Sequence, residues 1–301
     1  MSTTVSVVVP SFDRPEPLQR CLDALARHHG VGRPVEVVVV DDGSPDPVSL
    51  DPSRWARAFD LSIVRQDNAG PAAARNRGVD TARGEIVAFT DDDCLPAPDW
   101  LARLVAALES EPGALVGGST WNGLTGDTRA QASQAIVDLV YEHFNADAAD
   151  SRFLASNNLA CRRADFERVG GFDEGFAVPG AEDRDLCDRW RSQIGPLSWI
   201  RDARVEHRHH QSLPQFLALH HRYGRGAWIY QSLRRERGTG RIGDDLGFHH
   251  GLPRRAMARL SALPPGQRLR VAGLLVAWQA ANASGFLREG LAAKLGEGRR
   301  P

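Results

Sequence analysis

The sequence predicts an α/β fold: a mainly parallel sheet with helices on both faces, followed by a helical C-terminal extension. Three observations predict it. Runs of β-branched residues alternate with amphipathic segments through the first 110 residues, the pattern of successive β-α-β units. Several of those runs end in acidic and turn residues, where such sheets bind ligands. From about residue 213 the helical pattern is the only one left, with a glycine-rich break near 238–247.

The elements follow in order. VSVVVP (5–10) is a short, wholly apolar run and reads as a buried strand. PLQRCLDALARHH (17–29) spaces Leu18, Cys21, Leu22 and Leu25 as one helix face. VEVVVVDDGS (35–44) is a second strand ending in acids, and LSIVRQ (61–66) a third. GPAAARNRGVDTA (70–82) is a helix opened by Gly70 and Pro71. EIVAFTDDD (85–93) is the next strand and PDWLARLVAALES (98–110) the next helix. The pattern then loosens into a helix over 129–145, a strand-like FLASNNLACRR (153–163), a short helix ADFERVGG and a helix EDRDLCDRWRS (182–192). The expected division is a domain over 1–212 and a helical extension over 213–301.

Bulk composition excludes several functions. A formal net charge of −1 supplies no overall basic excess to neutralise phosphates, which excludes general nucleic-acid binding. Thirty-six arginines stand against one lysine, Lys294, a bias of genome composition. Cys21, Cys94, Cys161 and Cys187 form no CxxC pair and read as reduced cysteines of a cytosolic protein. MSTTVSVVVP lacks a basic n-region, so it reads as a strand and not a signal peptide. VAGLLVAWQAANASGFL is broken by Gln279, Asn282 and Ser284 and falls short of a membrane span. The expected location is the cytoplasm, with peripheral contact at the inner face of the cell membrane left open.

Asp91, Asp92 and Asp93 raise the first chemical question. Alone, an acidic triplet is a solvated strand end. Here a buried strand delivers it to the ligand edge of the sheet, and an extended DxD points Asp91 and Asp93 the same way. Converging carboxylates suit Mn²⁺ or Mg²⁺, which also take phosphate oxygens. Neither GxxxxGK[ST] nor GxGxxG follows the first strand, which removes the main support for a P-loop or dehydrogenase reading.

VSVVVPSFDRPEPLQRCLDAL, VEVVVVDDGSPD, NAGPAAARNRGVDTARGEIVAFTDDDC and GGFDEGFAVPGAEDRDLCDRW resemble, in order, the blocks of family 2 glycosyltransferases with the GT-A fold. The resemblance covers roughly residues 4 to 210 and implies inverting, metal-dependent transfer from a nucleotide-diphosphate sugar, with UDP favoured, to an acceptor hydroxyl. It implies that Pro10, Ser11 and Asp13 line the nucleotide pocket and that Asp42 accepts from the base. It further implies that Asn68, Arg75 and Asn76 lie along the nucleoside and diphosphate. Asp93 becomes the chief metal ligand, Asp91 a direct or water-mediated one, and Asp92 faces the donor sugar. Asp183 becomes the general base, with Glu182 orienting it or the acceptor. By itself Glu182-Asp183 would suit a helix N-terminus equally well.

In ARVEHRHHQ (203–211) the resemblance picks out His207 as completing the metal site, while His209 and His210 read as surface residues. Ser156, Asn157 and Asn158 suit hydrogen bonds to sugar hydroxyls. HHRYGRGAW (220–228) departs from the QxxRW pattern of processive synthases, and its Arg222 and Arg225 fit either a diphosphate contact or a helix face. The C-terminal helices fit an acceptor pocket, a homodimer or a membrane contact through Trp228, Leu274, Leu275 and Trp278. Two rivals remain open: a sugar nucleotidyltransferase, against which the loop PSFDRPEP lacks the glycine- and lysine-rich signature, and a non-catalytic sugar-nucleotide-binding module.

Overall fold

The structure, a computed structural model, describes residues 4–147, 150–176, 180–208, 210–241 and 243–295. Ala177, Val178, Pro179 and His209 therefore lie outside the described residues. The chain gathers into two compact units. One comprises 1–121, 147–174 and 183–208, and the other 122–146, 175–182 and 209–301.

The first unit is built on the sheet. Strands β1 (Val5–Ser11), β2 (Val35–Asp41), β3 (Asp60–Arg65) and β4 (Ile86–Thr90) lie in the order β3-β2-β1-β4, all parallel. The β-branched runs fill this central sheet because a strand buried on both faces has no polar side to show. Val5, Val7 and Val9 of β1 pack with Leu18, Cys21 and Leu22 of α1 (Pro15–Leu25) and Leu101, Leu104 and Leu108 of α3 (Trp100–Ser110). Helix α2 (Pro71–Thr81) contributes Ala72, Ala73 and Ala74 as buried residues.

Beyond β4 the sheet becomes mixed. β7 (Asn158–Arg162) runs antiparallel between β4 and β6 (Leu115–Asn122), and β8 (Leu197–His207) and β5 (Cys94–Pro96) complete the order. The expected parallel sheet is thus its first four strands. Cys94 pairs with His207 across the β5–β8 ladder. Helix α5 (Arg163–Val169) follows β7, and α6 (Glu182–Gln193) precedes β8.

The second unit is helical: α4 (Thr128–Phe144), α7 (Leu213–Arg237), α8 (Leu246–Ser261) and α9 (Pro265–Leu295). Its core joins Ala132, Ile136 and Leu139 of α4 with Phe216, Phe248, Leu252, Val271, Leu275 and Trp278. Leu275 and Trp278, read from sequence as membrane or dimer contacts, are 7% and 4% exposed and belong to this core instead. Helices α7 and α9 approach through glycines: a Cβ on Gly224 would meet the Asn282 carbonyl at 1.9 Å, and one on Gly285 the His221 carbonyl at 1.9 Å. Arg225 is ion-paired with Glu289 at 2.6 Å within this unit, so its charge is already engaged there. No helix among the described residues is long and apolar enough to cross a membrane.

Candidate active site

The strand order positions the site. The chain runs outward from β1 through β2 to β3 and then returns to β4 on the other side of β1. The loops after β1 and β4 therefore leave side by side at the switch point, where open α/β sheets bind ligands. Ser11 to Arg14 and Asp91 to Asp93 occupy those two loops.

The three aspartates are not extended strand residues. β4 ends at Thr90, and 92–93 form a turn before β5 begins at Cys94. The turn, not strand alternation, gives each carboxylate its own set of partners, with Arg14 shared by two of them. Asp91 accepts from Arg75 Nη2 at 2.8 Å, and that guanidinium also lies 5.5 Å over the Phe172 ring. Asp92 turns inward, accepting from Ser11 Oγ at 2.8 Å and Arg14 Nη1 at 3.3 Å. Asp93 accepts from Arg14 Nη1 at 2.7 Å and faces His207 Nε2 across 3.2 Å.

Burial pushes the Asp92 carboxyl up to about 7, with the charges of Asp93 and Asp91 adding to it while Arg14 and the Ser11 hydroxyl pull the other way. For His207, burial alone would lower the pKa, but the hydrogen bond and charge of Asp93, with Asp91 behind it, raise it. The Asp93–His207 contact is thus a carboxylate and an imidazole drawn together around a proton.

Asp93, Cys94 and His207 form a group whose ligand atoms all lie within 4.8 Å of one another. Burial, reinforced by Asp93 and Asp91, raises the Cys94 thiol well above its ordinary range, and a sulfur ligand suits soft cations rather than hard ones. The carboxylate oxygen and the imidazole nitrogen remain, a donor pair that fits Mn²⁺ well and Mg²⁺ less closely. A cation there would take the place of the proton they share.

At the end of β2 a second acidic pair is organised differently. Asp41 accepts from the backbone amides of Ser44 and Val48 and from Arg65 at 2.6 Å. Burial opposes ionisation of Asp41, but these hydrogen bonds, those from Ser44 foremost, hold its carboxyl below the usual value. Asp42 accepts from Gln66 Nε2 and from the backbone amides of Ala69 and Gly70. Asn68 in turn donates to the Asp42 carbonyl at 3.0 Å. Gly43, at φ +80, lets the loops close: a Cβ there would meet the Asn68 amide nitrogen at 2.7 Å. Three donors leave one lone-pair direction of the Asp42 carboxylate for a further donor.

Asp13 sits in the left-handed region at φ +54, which Asp tolerates better than most residues, and its amide donates to Ser44 Oγ. Pro10 is half-buried in β1, between the buried Val9 and Ser11.

Two expectations are corrected. Asn158 is 0% exposed; its Oδ1 accepts from Trp100 Nε1, and its Nδ2 donates to the Ser119 and Ala203 carbonyls. Buried and engaged at both ends of its amide, it brackets strands and is no sugar contact. Asn76 donates to the Phe172 carbonyl and Glu174 and accepts from the Phe172 amide. It holds the 172–174 turn, and so the ring beneath Arg75, instead of lying along a nucleoside. Asn157 donates to Cys94 Sγ at 3.7 Å, which places it beside the Asp93–His207 pair; Ser156 is buried nearby in sequence at 6% exposed.

Glu182 and Asp183 open α6. The preceding residue, Ala181, holds φ +77, a costly conformation for a side chain with a Cβ. Glu182 accepts from the Gly180 amide at 2.7 Å, and Asp183 accepts from the Arg184 amide at 2.8 Å. From α6, Arg189 pairs with the buried Asp185 and donates to the Val169 and Gly171 carbonyls. Gly171 adjoins Phe172, so hydrogen bonds run from the helix of Asp183 through that turn to Asn76 on α2, one residue from Arg75 and its partner Asp91.

Sequence reasoning missed Arg14, which bridges two of the three aspartates. The signal was there: three adjacent carboxylates need countercharge, and Arg14 lies in the loop that parallel order brings beside them.

Comparison with known proteins agrees with this geometry. The profile described as "Glycosyl transferase family 2" matches residues 6–170, and that of "N-terminal domain of galactosyltransferase" matches 137–213. The chain is 33% identical over 172 residues to Glycosyltransferase AglE of Haloferax volcanii, covering 56% of this chain and 55% of that protein. It is 31% identical over 233 residues to the Pre-mycofactocin glycosyltransferase of Mycobacterium tuberculosis, covering 74% and 46%. The chain thus spans about half the length of these curated relatives. Its fold is similar to that of the mannosyltransferase PcManGT from Pyrobaculum calidifontis, solved in complex with GDP-Man and Mn²⁺. The TM-score is 0.61 at 22% identity over 99% of this chain and 87% of that one.

Proposed function

The chain belongs to glycosyl transferase family 2, and from that premise we propose that it moves a glycosyl group from a nucleoside-diphosphate sugar to an acceptor hydroxyl, with inversion at the anomeric carbon. The observation that carries this reading is the meeting of Asp93 and His207 at the switch point of the sheet, beside the Arg75–Asp91 pair. The complex of PcManGT with GDP-Man and Mn²⁺ supports the donor class and a divalent cation. In this reading residues 1–212 carry the reaction and 213–301 form a helical extension.

Asp93 and His207 would hold Mn²⁺ or Mg²⁺, with Asp91 direct or through water, and the cation would offset the charge of the departing diphosphate. The loop fixed by Asp42 presents Asn68 to the nucleoside, and Ser11 and Asp13 border the same pocket. Arg75, held over Phe172, adds positive charge beside the phosphates. Asp183 takes the proton of the acceptor hydroxyl as its oxygen bonds to the anomeric carbon. The bond from that carbon to the diphosphate oxygen breaks with its electron pair leaving on the diphosphate. Glu182 orients Asp183 or the acceptor, while Ser156 and Asn157 border the transferred sugar.

The test is turnover of UDP- and GDP-linked sugars by the purified chain with Mn²⁺, with NMR of the product. Release of the nucleoside diphosphate with a product of inverted configuration is expected. Retained configuration would overturn the single-displacement reading. Release of pyrophosphate would point to nucleotidyl transfer.

A further inference from the structure

Helix α9 turns Val271, Leu275 and Trp278 into the core of the helical unit. Its outward face is also apolar. Leu269 is 80% exposed, Val276 72%, Leu287 63%, Leu291 60% and Leu295 72%. With Gly273, Ala280 and Ala283 between them, these positions recur at spacings of three and four. At 3.6 residues per turn that makes one stripe, about 40 Å long. A largely apolar stripe of this length, interrupted by Ser284 and, near its C-terminal end, by Lys294, is unusual on a surface that meets only water.

Charge says what would cover it. Between Leu213 and Pro301 the sequence has fifteen Lys and Arg against five Asp and Glu, an excess of ten positive charges in a chain whose net charge is −1. Within α9, Glu289 is engaged by Arg225, whereas Arg270, Arg288 and Lys294 are exposed. Arg270 and Arg288 stand eighteen residues apart, about five full turns, so both line the same flank of the stripe.

We propose that this face of α9 docks the protein on an anionic lipid surface. The leucines enter the boundary between headgroups and acyl chains, and the arginines meet headgroup phosphates. The same face is poorly matched to an antiparallel second copy, because that pairing sets arginine flank against arginine flank. A polyanion such as nucleic acid would meet leucines at the centre of the contact. The inference is independent of the reaction proposed above.

The test is flotation of the full chain with vesicles of phosphatidylcholine alone and of phosphatidylcholine mixed with phosphatidylglycerol. Binding to the mixed vesicles, weak binding to the neutral ones and release by salt are expected. Val276→Glu/Leu287→Glu and, separately, Arg270→Glu/Arg288→Glu should each lower the apparent affinity about tenfold or more. All four positions are exposed, and circular dichroism checks that the fold is kept. Equal binding to both vesicle types, or mixed-vesicle binding that neither variant changes, would overturn the proposal. So would a dimer in light scattering, without vesicles, that Leu287→Glu dissociates.

Discussion

Two acidic clusters stand at the ends of β2 and β4, the strands that flank β1 in one sheet, and their hydrogen bonding separates their roles. At the end of β2, Asp41 and Asp42 are held largely by backbone amides: Ser44, Val48, Ala69 and Gly70. At the end of β4, Asp91, Asp92 and Asp93 are met by side chains: Arg75, Ser11, Arg14 and His207. Amide donors belong to the fold and cannot leave without unfolding a loop. Side-chain cations can swing away when a ligand brings a better countercharge. The first cluster is therefore built to shape loops, the second to exchange partners. Their pKa values follow: the Ser44 hydroxyl, the Ser44 and Val48 amides and Arg65 hold Asp41 low, whereas burial beside two like charges lifts Asp92 to about 7.

The largest expected effect lies outside both clusters and isolates chemistry from binding. Asp183→Asn keeps size but cannot accept a proton, so turnover should fall on the order of 10²–10⁴-fold with donor binding nearly unchanged. Near-normal turnover would remove Asp183 as the base.

Next comes the exchangeable cluster. Asp93→Ala should abolish the dependence of UDP or GDP binding on Mn²⁺ and weaken binding in Mn²⁺ by roughly 10²-fold, while the melting temperature holds. His207→Ala should show the same trend, and His210→Ala should not. Calorimetry with and without chelator decides it, and equal affinity in both conditions for the unmutated protein contradicts the assignment.

The loop-shaping cluster should behave in the opposite way. Asp42→Ala strands the donors of Gln66, Ala69 and Gly70 and should cost about 1–3 kcal/mol in urea unfolding. If Asp42→Ala is as stable as the parent, the contrast between the clusters fails.

The smallest effect is a pair of opposite pH trends, measured in chelator. Asp41 has a lowered folded pKa, so its stabilisation is present above the unfolded value and is lost as pH falls through the folded one. Asp41→Asn should therefore cost more at pH 7 than at pH 3. Asp92 has a raised folded pKa, so ionising it in place opposes folding increasingly as pH rises from about 4 to about 7. Asp92→Asn should accordingly gain stability on the order of 1 kcal/mol at neutral pH, a gain that fades in acid. Parallel trends in the two variants would show that the clusters do not differ as argued.

The sequence alone determined the parallel half of the sheet, the helices around it and the loops that carry the aspartates. Periodicity and β-branched runs are local signals, and β1, β2 and β4 are buried along almost their whole length, which leaves those signals undiluted. The motif blocks also brought Asp91, Asp93, Asp183 and His207 to notice before any coordinate. What sequence could not decide was partnership. Strand β5 spans three residues, Cys94–Pro96, too few to show a period, yet its ladder with β8 is what sets His207 against Asp93. Asn158 read as a contact for sugar hydroxyls, and only the packing of Trp100, Ser119 and Ala203 around it made it a buried bracket. Helix α4 was legible as a helix, but not that its neighbours come from residues more than seventy positions later. Local pattern records which residues prefer water and which prefer a core; the identity of the partner across the gap depends on chain crossings that no local window contains.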